Sequence, residues 1–271
     1  NMTLINAYRM DGLGNNFLII DRRQDSLKIN REKIIDLANK KAFSFDQLIV
    51  LEKKEKNIFP ITIFNPDGIE VNACGNGARC IAYLIFQENK QKNLSIKTKE
   101  RVLVAEIVGK QNVKINMGKP KFSWKEVPLS ESMNTKQISI DLLGQEHGYG
   151  FCLNVGNPHI VFFVKDCSEI DIKKLGPEIE NYKFFPERTN VTFAQILDKK
   201  NIKVNVWERG AGQTKACGTA ACATAVAASE QDLADKNSNI HFKEGNLQID
   251  YKEEIFMTGP VSEVSKIDLD I

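Results

Sequence analysis

The chain has 271 residues, of which 42% are hydrophobic and 27% charged, and its 37 Lys and Arg nearly balance its 35 Asp and Glu. This length allows two domains of ordinary size, and the charge balance gives no reason to expect nucleic acid or an anionic membrane as a partner. The longest apolar runs, residues 17–20 and 160–164 among them, are too short to cross a bilayer, and the first ten residues lack the pattern of a secretory signal.

The six cysteines are expected to be reduced thiols, because the chain shows no export signal. They are Cys74, Cys80, Cys152, Cys167, Cys217 and Cys222. Their spacing is not that of a structural zinc site, so no metal is predicted. We therefore expect a cytoplasmic protein whose partner is a small molecule.

The first half of the chain is predicted to contain strands around one helix. Residues 61–65 alternate and are rich in β-branched side chains, which predicts a strand. Residues 77–89 are apolar nearly all round, as in a helix buried at the centre of a domain. Strands follow at 94–99, 101–108 and 112–118, and the proline-containing segment 119–129 is interpreted as a linker.

The second half repeats this order. Residues 202–207 predict a strand and residues 218–231 a second buried helix. Further strands are expected at 239–245, 247–253 and 254–260. The predicted fold is α+β, with two pseudo-symmetric domains, each a curled mixed or antiparallel sheet wrapped around a central helix. Their bounds are 1–118, with 265–271 returning to the first domain, and 119–264.

The two halves carry nearly the same stretch, ACGNGARC at 73–80 and ACGTAACA at 216–223. Aligning Cys74 with Cys217 sets an offset of 143 residues, and the same offset brings a polar residue at the end of each preceding strand into register. These matches are Asn65 with Glu208 and Gln47 with Asn190, while Asn15 and Asn157 match after a slip of one residue. An ordered series of this kind predicts two copies of one unit, with a one-residue loop insertion.

Each cysteine precedes the first turn of a predicted helix, where unpaired backbone N–H groups favour an anion. The field at such a position favours thiolate over thiol. Glycine follows each cysteine and leaves the N–H groups open to a ligand. The expected N–H donors are those of Gly75, Asn76, Gly218 and Thr219.

Two such copies facing each other place one thiol on each side of a single α-carbon. One sulfur then removes the α-proton and the other returns one, which inverts the stereocentre. The helix starts stabilise the charge that spreads into the carboxylate. The hypothesis is a two-base racemase or epimerase that needs no cofactor.

The segments MDGLGNNF, FDQL, NPDGIEVNACGNGARC, VGNPH, PERTNV and ERGAGQTKACGTAACA resemble, in order and spacing, those of the diaminopimelate epimerase family. The resemblance covers about residues 8 to 260. It implies the two-domain fold and the interconversion of LL- and meso-2,6-diaminoheptanedioate, which supplies lysine and peptidoglycan precursors. It is also compatible with a homodimer.

The resemblance also assigns site residues. Cys74 and Cys217 are the implied acid/base pair, with His159 and Glu208 near the sulfurs. The implied substrate-binding residues are Asn15, Gln47, Asn65, Gly75, Asn76, Asn157, Asn190, Glu208, Arg209, Gly218 and Thr219. In this assignment Arg209 donates two parallel hydrogen bonds to the distal carboxylate, and Glu208 binds an ammonium group.

The chain departs from the family pattern at four positions, which are Asn16, Pro66, Gln213 and Ala220. Asn16 and Gln213 each replace a carboxylate by an amide of similar shape, which removes two negative charges and bears on the pKa values of the cysteines.

Other interpretations stay open at this stage. A proline or hydroxyproline racemase also uses two cysteines but would leave Arg209 unexplained. An isomerase of the phenazine-biosynthesis type shares the fold but lacks the cysteine pair, so it is excluded because both cysteines are present here. A protein that binds a diamino dicarboxylate without turnover is a third alternative. The glycine turns lack the residues of a phosphate-binding loop.

Overall fold

A computed structural model describes residues 4–72, 75–141 and 147–270. The chain divides into two compact units, Asn1–Asn116 with Thr258–Ile271 (unit 1) and Met117–Met257 (unit 2). No helix in the described ranges is long and apolar enough to span a membrane.

The first half of the chain contains eight strands and two helices among its described residues. They are β1 (Leu4–Gly12), β2 (Asn15–Asp21), α1 (Arg31–Asn39), β3 (Gln47–Leu51), β4 (Ile58–Phe64), β5 (Glu70–Val71), α2 (Gly75–Asn89), β6 (Asn93–Lys97), β7 (Val102–Gly109) and β8 (Asn112–Gly118).

The remainder of the chain follows the same order and then returns to unit 1 with a last strand. The elements are β9 (Gly150–Asn154), β10 (Pro158–Phe163), α3 (Ile172–Glu180), β11 (Asn190–Asp198), β12 (Asn201–Glu208), β13 (Gly212–Gln213), α4 (Gly218–Glu230), β14 (Asn237–Phe242), β15 (Gly245–Tyr251), β16 (Ile255–Pro260) and β17 (Ser265–Asp270).

The strand pairings of unit 1 form a mixed sheet. β1 pairs antiparallel with β17 and with β2, and β2 runs parallel to β3. β4 is antiparallel to β3 and to β5 but parallel to β6, and β6 continues antiparallel through β7 to β8. β17 thus joins the first strand of the chain, so both ends of the described chain belong to one sheet.

Unit 2 repeats six of these pairings in the same order and direction. β9 and β10 are antiparallel, β10 and β11 parallel, and β12 is antiparallel to β11 and β13. β12 is parallel to β14, which is antiparallel to β15. The predicted α+β fold with two similar halves, each built on a mixed sheet, is therefore confirmed.

The strand register also locates the one-residue slip between the two copies. The opposed pairs that define it are Phe17 with Gln47 and Leu48 with Phe64 in unit 1, and His159 with Asn190 and Val191 with Trp207 in unit 2. The offset is 142 residues on β2 and β10 but 143 on the strands that follow. The additional residue of unit 2 therefore lies between β10 and β11.

The two central helices are buried on every side, as their composition predicts. In α4 each residue from Ala220 to Ala228 is buried, and in α2 each residue from Asn76 to Ile85 is buried. Small residues permit this, since a Cβ on Gly77 of α2 would lie 2.9 Å from the Ile49 Cδ1.

The GLGN segment forms the tight hairpin between β1 and β2. Leu13 and Gly14 both have positive φ, 54° and 86°, as a two-residue hairpin turn with right-handed strand twist requires. The Gly14 N–H donates to the Asp11 carboxylate at 2.9 Å. The glycines of this segment thus serve the turn.

The prediction that 119–129 is a linker is wrong. Val127 and Leu129 are buried in the core of unit 2, and Trp124 packs against the same cluster. The backbone of Lys121 also exchanges hydrogen bonds with Asn154 at 2.9 Å in both directions. The prolines break regular structure without excluding the segment from a core.

Helices α1 and α3 were not predicted. α1 begins after Asn30, whose side chain accepts from the Lys33 N–H, and it buries Ile34 and Leu37 on one face. This spacing is the ordinary signature of a capped amphipathic helix. α3 contains Gly176 and Pro177, residues that lower helix propensity.

Candidate active site

Cys217 caps the N-terminus of α4. Its backbone is extended, with φ −140° and ψ 112°, and its Sγ accepts from the Ala220 N–H at 3.4 Å. The side chain is buried, with 6% of the residue exposed. The predicted position of this cysteine at a helix start is therefore confirmed.

Burial decides the protonation of Cys217. It raises the pKa of the thiol well above its ordinary value, and the negative charge of Glu208 raises it further. The Thr219 hydroxyl and the Ala220 N–H act in the opposite direction. The helix N–H groups thus favour the thiolate, as expected, but burial outweighs them at this cysteine.

Glu208 ends β12 beside this sulfur. Burial raises the pKa of its carboxyl, while the side chains of Thr214 and Cys217 lower it. The same pair acts in the opposite direction on the cysteine, because a carboxylate beside the sulfur favours the thiol over the thiolate and raises the pKa of Cys217. Thr214 was not predicted, since its type and position carry no signal in the repeat.

A hydrogen-bond chain leads from His159 to Cys217. The His159 Nε2 lies 2.8 Å from the Asn157 Oδ1, and the Asn157 Nδ2 donates to the Thr219 Oγ1 at 3.2 Å. The Thr219 Oγ1 lies 3.4 Å from the Cys217 Sγ. An amide oxygen only accepts, so the His159 Nε2 carries hydrogen and donates. The Thr219 hydroxyl keeps a hydrogen that it can donate to the sulfur, and this contact lowers the pKa of Cys217.

His159 itself is neutral. Burial, together with the positive charge of Arg209, lowers the pKa of its imidazole to about 3. Within the described part of the chain its Nδ1 has no hydrogen-bond partner. The ring therefore holds Asn157 in place without bringing a positive charge to the cysteine.

Asn190 and Arg209 contact each other at the ends of neighbouring strands. The Asn190 Oδ1 accepts from the Arg209 N–H at 2.8 Å, and its Nδ2 donates to the Pro158 carbonyl at 2.9 Å. The Arg209 Nη1 donates to the Glu187 carbonyl at 3.1 Å. The Asn190 amide thus bonds the protein itself, and its contact with substrate remains a prediction.

Gly218 makes a different contact from the one expected. A Cβ at this position would lie 3.0 Å from the Met257 Sδ and 3.2 Å from its Cε. The missing side chain therefore lets α4 begin close against Met257. Approach of a ligand to the N–H groups of Gly218 and Thr219 remains a prediction.

Unit 1 brings together part of its predicted set. The Gln47 Nε2 donates to the Asn65 Oδ1 at 3.4 Å, so the ends of β3 and β4 hold these amides side by side. Asn15 begins β2, opposite Gly12 in the hairpin. All three amide residues lie at the strand ends that the repeat predicts.

The start of α2 repeats the start of α4. Gly75 and Asn76 form its first turn, and the buried Asn76 Oδ1 has no partner among the described residues. Gly12 lies against this turn, since a Cβ there would be 3.2 Å from the Asn76 carbonyl oxygen. Cys74 lies outside the described residues, so its place in an acid/base pair stays a prediction.

Three of the departures from the family pattern make hydrogen bonds. The Asn16 N–H donates to the Asp46 carboxylate at 2.8 Å, and the Gln213 Nε2 donates to the Asn205 Oδ1 at 3.0 Å. Ala220, the third, supplies the N–H that caps onto Cys217.

The chain matches known proteins over most of its length. The family model of diaminopimelate epimerase matches residues 7–123 and 151–264. The chain is 43% identical over 270 residues to the diaminopimelate epimerase of Pelagibacter ubique (strain HTCC1062), covering 98% of both chains. It is 37% identical over 265 residues to that of Acidiphilium cryptum (strain JF-5), covering 97% of this chain and 95% of the relative.

The fold is shared more widely. A phenazine biosynthesis protein of the PhzF family from Enterococcus faecalis superposes with a TM-score of 0.70 at 12% identity, covering 98% of this chain and 100% of the other. Identity this low shows a common fold and nothing about chemistry. The matches to the family model and to the two sequence relatives go further, and by them the chain belongs to the diaminopimelate epimerase family.

Proposed function

We propose that this protein is a cofactor-independent two-base epimerase that interconverts LL- and meso-2,6-diaminoheptanedioate, with Cys74 and Cys217 as the acid/base pair. Membership of the family supports the reaction class. The strands and helices of the two halves follow the same order, which supports two equivalent helix starts, one after each cysteine. A cytoplasmic location and a homodimer remain predictions from the sequence.

The observation that carries the proposal is the set of partners around the Cys217 sulfur. The carboxylate of Glu208 favours the protonated thiol, while the Thr219 hydroxyl and the Ala220 N–H favour the thiolate. Partners of both kinds stabilise the sulfur as a thiol and as a thiolate. A residue that acts as an acid in one direction of the reaction and as a base in the other needs both states. The Ala220 N–H also serves the helix cap, whereas capping requires no carboxylate beside the sulfur.

The proton balance of the proposed step is simple. One cysteine, as thiolate, takes the α-proton, and the C–H electron pair passes into the adjacent carboxylate. The other cysteine, as thiol, donates its proton to the opposite face of the same carbon, and the pair forms the new C–H bond. Each sulfur then holds the protonation state that the reverse reaction needs.

The first N–H groups of α2 and α4 are the proposed donors to the reacting carboxylate. Helix starts carry partial positive charge and unpaired N–H groups, which stabilise a developing carboxylate dianion. In unit 2 these groups begin at Gly218, directly after Cys217.

The distal amino-acid end of the substrate is proposed to bind at the end of β12. Arg209 supplies a planar guanidinium that matches a carboxylate, and Glu208 supplies a carboxylate for an ammonium. The amides Asn15, Gln47, Asn65, Asn76, Asn157 and Asn190 are proposed to complete the pocket. A substrate with an amino acid at each end has a distal carboxylate for Arg209 and a distal ammonium for Glu208. Proline has only one amino-acid group and leaves these two side chains without a partner.

The test is turnover by the purified, reduced protein without added pyridoxal phosphate or metal. Incubation with LL-diaminopimelate should yield the meso form, measured by chiral chromatography, while L-proline and hydroxyproline should remain unchanged. Cys74→Ala and Cys217→Ala should each abolish the conversion. Cys152→Ala, which removes a buried thiol on β9, is the matched control and should stay active.

Three results would contradict the proposal. Racemisation of proline instead of diaminopimelate would favour the first alternative. Binding of diaminopimelate without turnover would favour a binding protein. Full activity of either cysteine variant would refute the two-base assignment.

A further inference from the structure

Glu180, the last residue of α3, is a buried carboxylate that accepts hydrogen bonds from three residues. Its Oε1 accepts from the Trp207 Nε1 at 2.9 Å, and its Oε2 accepts from the Gly210 N–H and the Arg188 Nη1, each at 2.9 Å. Its side chain is 7% exposed. A buried charge with both oxygens bonded fixes the groups around it, because leaving any of them unpaired is costly.

The three donors lie around the turn that carries Glu208 and Arg209. Trp207 comes directly before Glu208, and Gly210 directly after Arg209. The carboxylate of Glu180 therefore holds both ends of this dipeptide. The Arg209 N–H, bonded to Asn190, fixes its middle.

Helix α3 holds Trp207 at a second point. Gly176 lies one turn before Glu180 on the helix, and a Cβ at Gly176 would be only 2.5 Å from the indole ring of Trp207. Residues four apart share one helix face. The indole is thus packed on Gly176 and hydrogen-bonded to Glu180, which anchors the end of β12 to α3.

This arrangement is specific to unit 2. The repeat places Phe64 at the position of Trp207, and a phenyl ring has no N–H group that needs an acceptor. The unit that carries the charged dipeptide Glu208–Arg209 is therefore the one in which a buried carboxylate fixes the strand end.

We propose that Glu180 is a positioning residue that orients Glu208 and Arg209 for the distal end of the substrate. The inference rests on the proposed function, in which these two side chains bind that end. Glu180 acts through the Trp207 indole and the Gly210 N–H, the two groups that flank the dipeptide. Its loss should therefore weaken substrate binding.

The experiment compares Glu180→Gln with Glu178→Gln, an exposed residue on the same helix. A glutamine at 180 presents an NH₂ group to one of the three donors. KM for LL-diaminopimelate should rise about tenfold to a hundredfold, the equivalent of one hydrogen bond to a charged group. Glu178→Gln should keep the wild-type KM. Loss of folded protein alone lowers the apparent kcat and leaves KM unchanged, so KM separates positioning from stability.

Arg209→Lys distinguishes this inference from the proposed function. If Arg209→Lys raises KM and Glu180→Gln does not, the positioning role of Glu180 is wrong and the proposed function stands. If Arg209→Lys also leaves KM unchanged, Arg209 does not bind the distal end and the positioning role of Glu180 fails with it. The proposed function fails only if the wild-type protein does not turn over LL-diaminopimelate. Should Glu180→Gln not fold, Trp207→Phe replaces it, since this change removes one donor and keeps a ring. A KM rise of about threefold or more supports the proposal, and a wild-type KM overturns it.

Discussion

Replacing Cys217 by serine separates the structural role of this side chain from its proposed chemical role. The residue caps α4, with its Sγ 3.4 Å from the Ala220 N–H, and its thiol also contacts Glu208. A serine hydroxyl makes the same two contacts, and serine is among the best N-cap residues. It binds its proton far more tightly than a thiol, so it cannot act as a base at neutral pH.

The expected sizes of the two effects differ greatly. Cys217→Ser should keep the free energy of unfolding at or above the wild-type value, because the cap is retained. Cys217→Ala loses the cap and should be less stable than the serine variant by about 1 kcal/mol, or about 2–4 °C in Tm. Both variants should lose about 10²- to 10⁴-fold in kcat, the usual contribution of a general acid or base.

The assay pairs thermal unfolding with chiral chromatography of the meso product on the same protein samples. The serine variant should be at least as stable as the wild type, and the alanine variant should be the least stable of the three. Activity should fall in both variants alike. A serine variant within tenfold of wild-type kcat would refute the reasoning. An activity that follows the order of Tm would also refute it, since the loss would then come from structure.

Three further changes test the surroundings of this sulfur. Glu208→Gln removes the negative charge that raises the pKa of Cys217. Alkylation of Cys217 by iodoacetamide, followed by peptide mass spectrometry, should therefore begin at lower pH than in the wild type. An unchanged dependence of alkylation on pH would contradict this. Arg209→Lys keeps the positive charge but loses the planar guanidinium, so KM for LL-diaminopimelate should rise about tenfold or more in steady-state kinetics. An unchanged KM would show that Arg209 does not bind the substrate. Gly176→Ala places a Cβ 2.5 Å from the Trp207 ring and should lower the free energy of unfolding in urea by about 1–3 kcal/mol, so wild-type stability would show that the contact relaxes freely.

The central helices and the strand ends could be predicted from hydrophobic periodicity and from the internal repeat of the sequence. The helix over 218–231 could be predicted because its side chains are apolar nearly all round, and it is observed as α4 with Cys217 at its cap. The register of the repeat predicted which polar residues end strands, and Gln47 and Asn65 are in contact as a result. Periodicity and duplication are properties that one sequence shows directly.

The features that were missed depend on contacts distant in sequence. The burial of Val127 and Leu129 has no periodic signal, since an irregular segment buries side chains wherever the neighbouring sheet leaves room. The contact of Glu180 with Trp207 joins a helix end to a strand end, and no counterpart in the other half indicates it. The pKa of Cys217 depends on burial, which opposes the helix N–H groups that the sequence identifies.

The two-base claim is tested most directly by the position of solvent deuterium at early conversion. LL-diaminopimelate is incubated with reduced protein in deuterated water, and both the remaining substrate and the new meso product are examined by mass spectrometry. Two opposed sulfurs deliver solvent deuterium to one α-carbon of the product, while returned substrate keeps its original proton. A single base that serves both faces of the carbon and exchanges its proton with solvent would place deuterium in the remaining LL substrate as well, and that result would contradict the account.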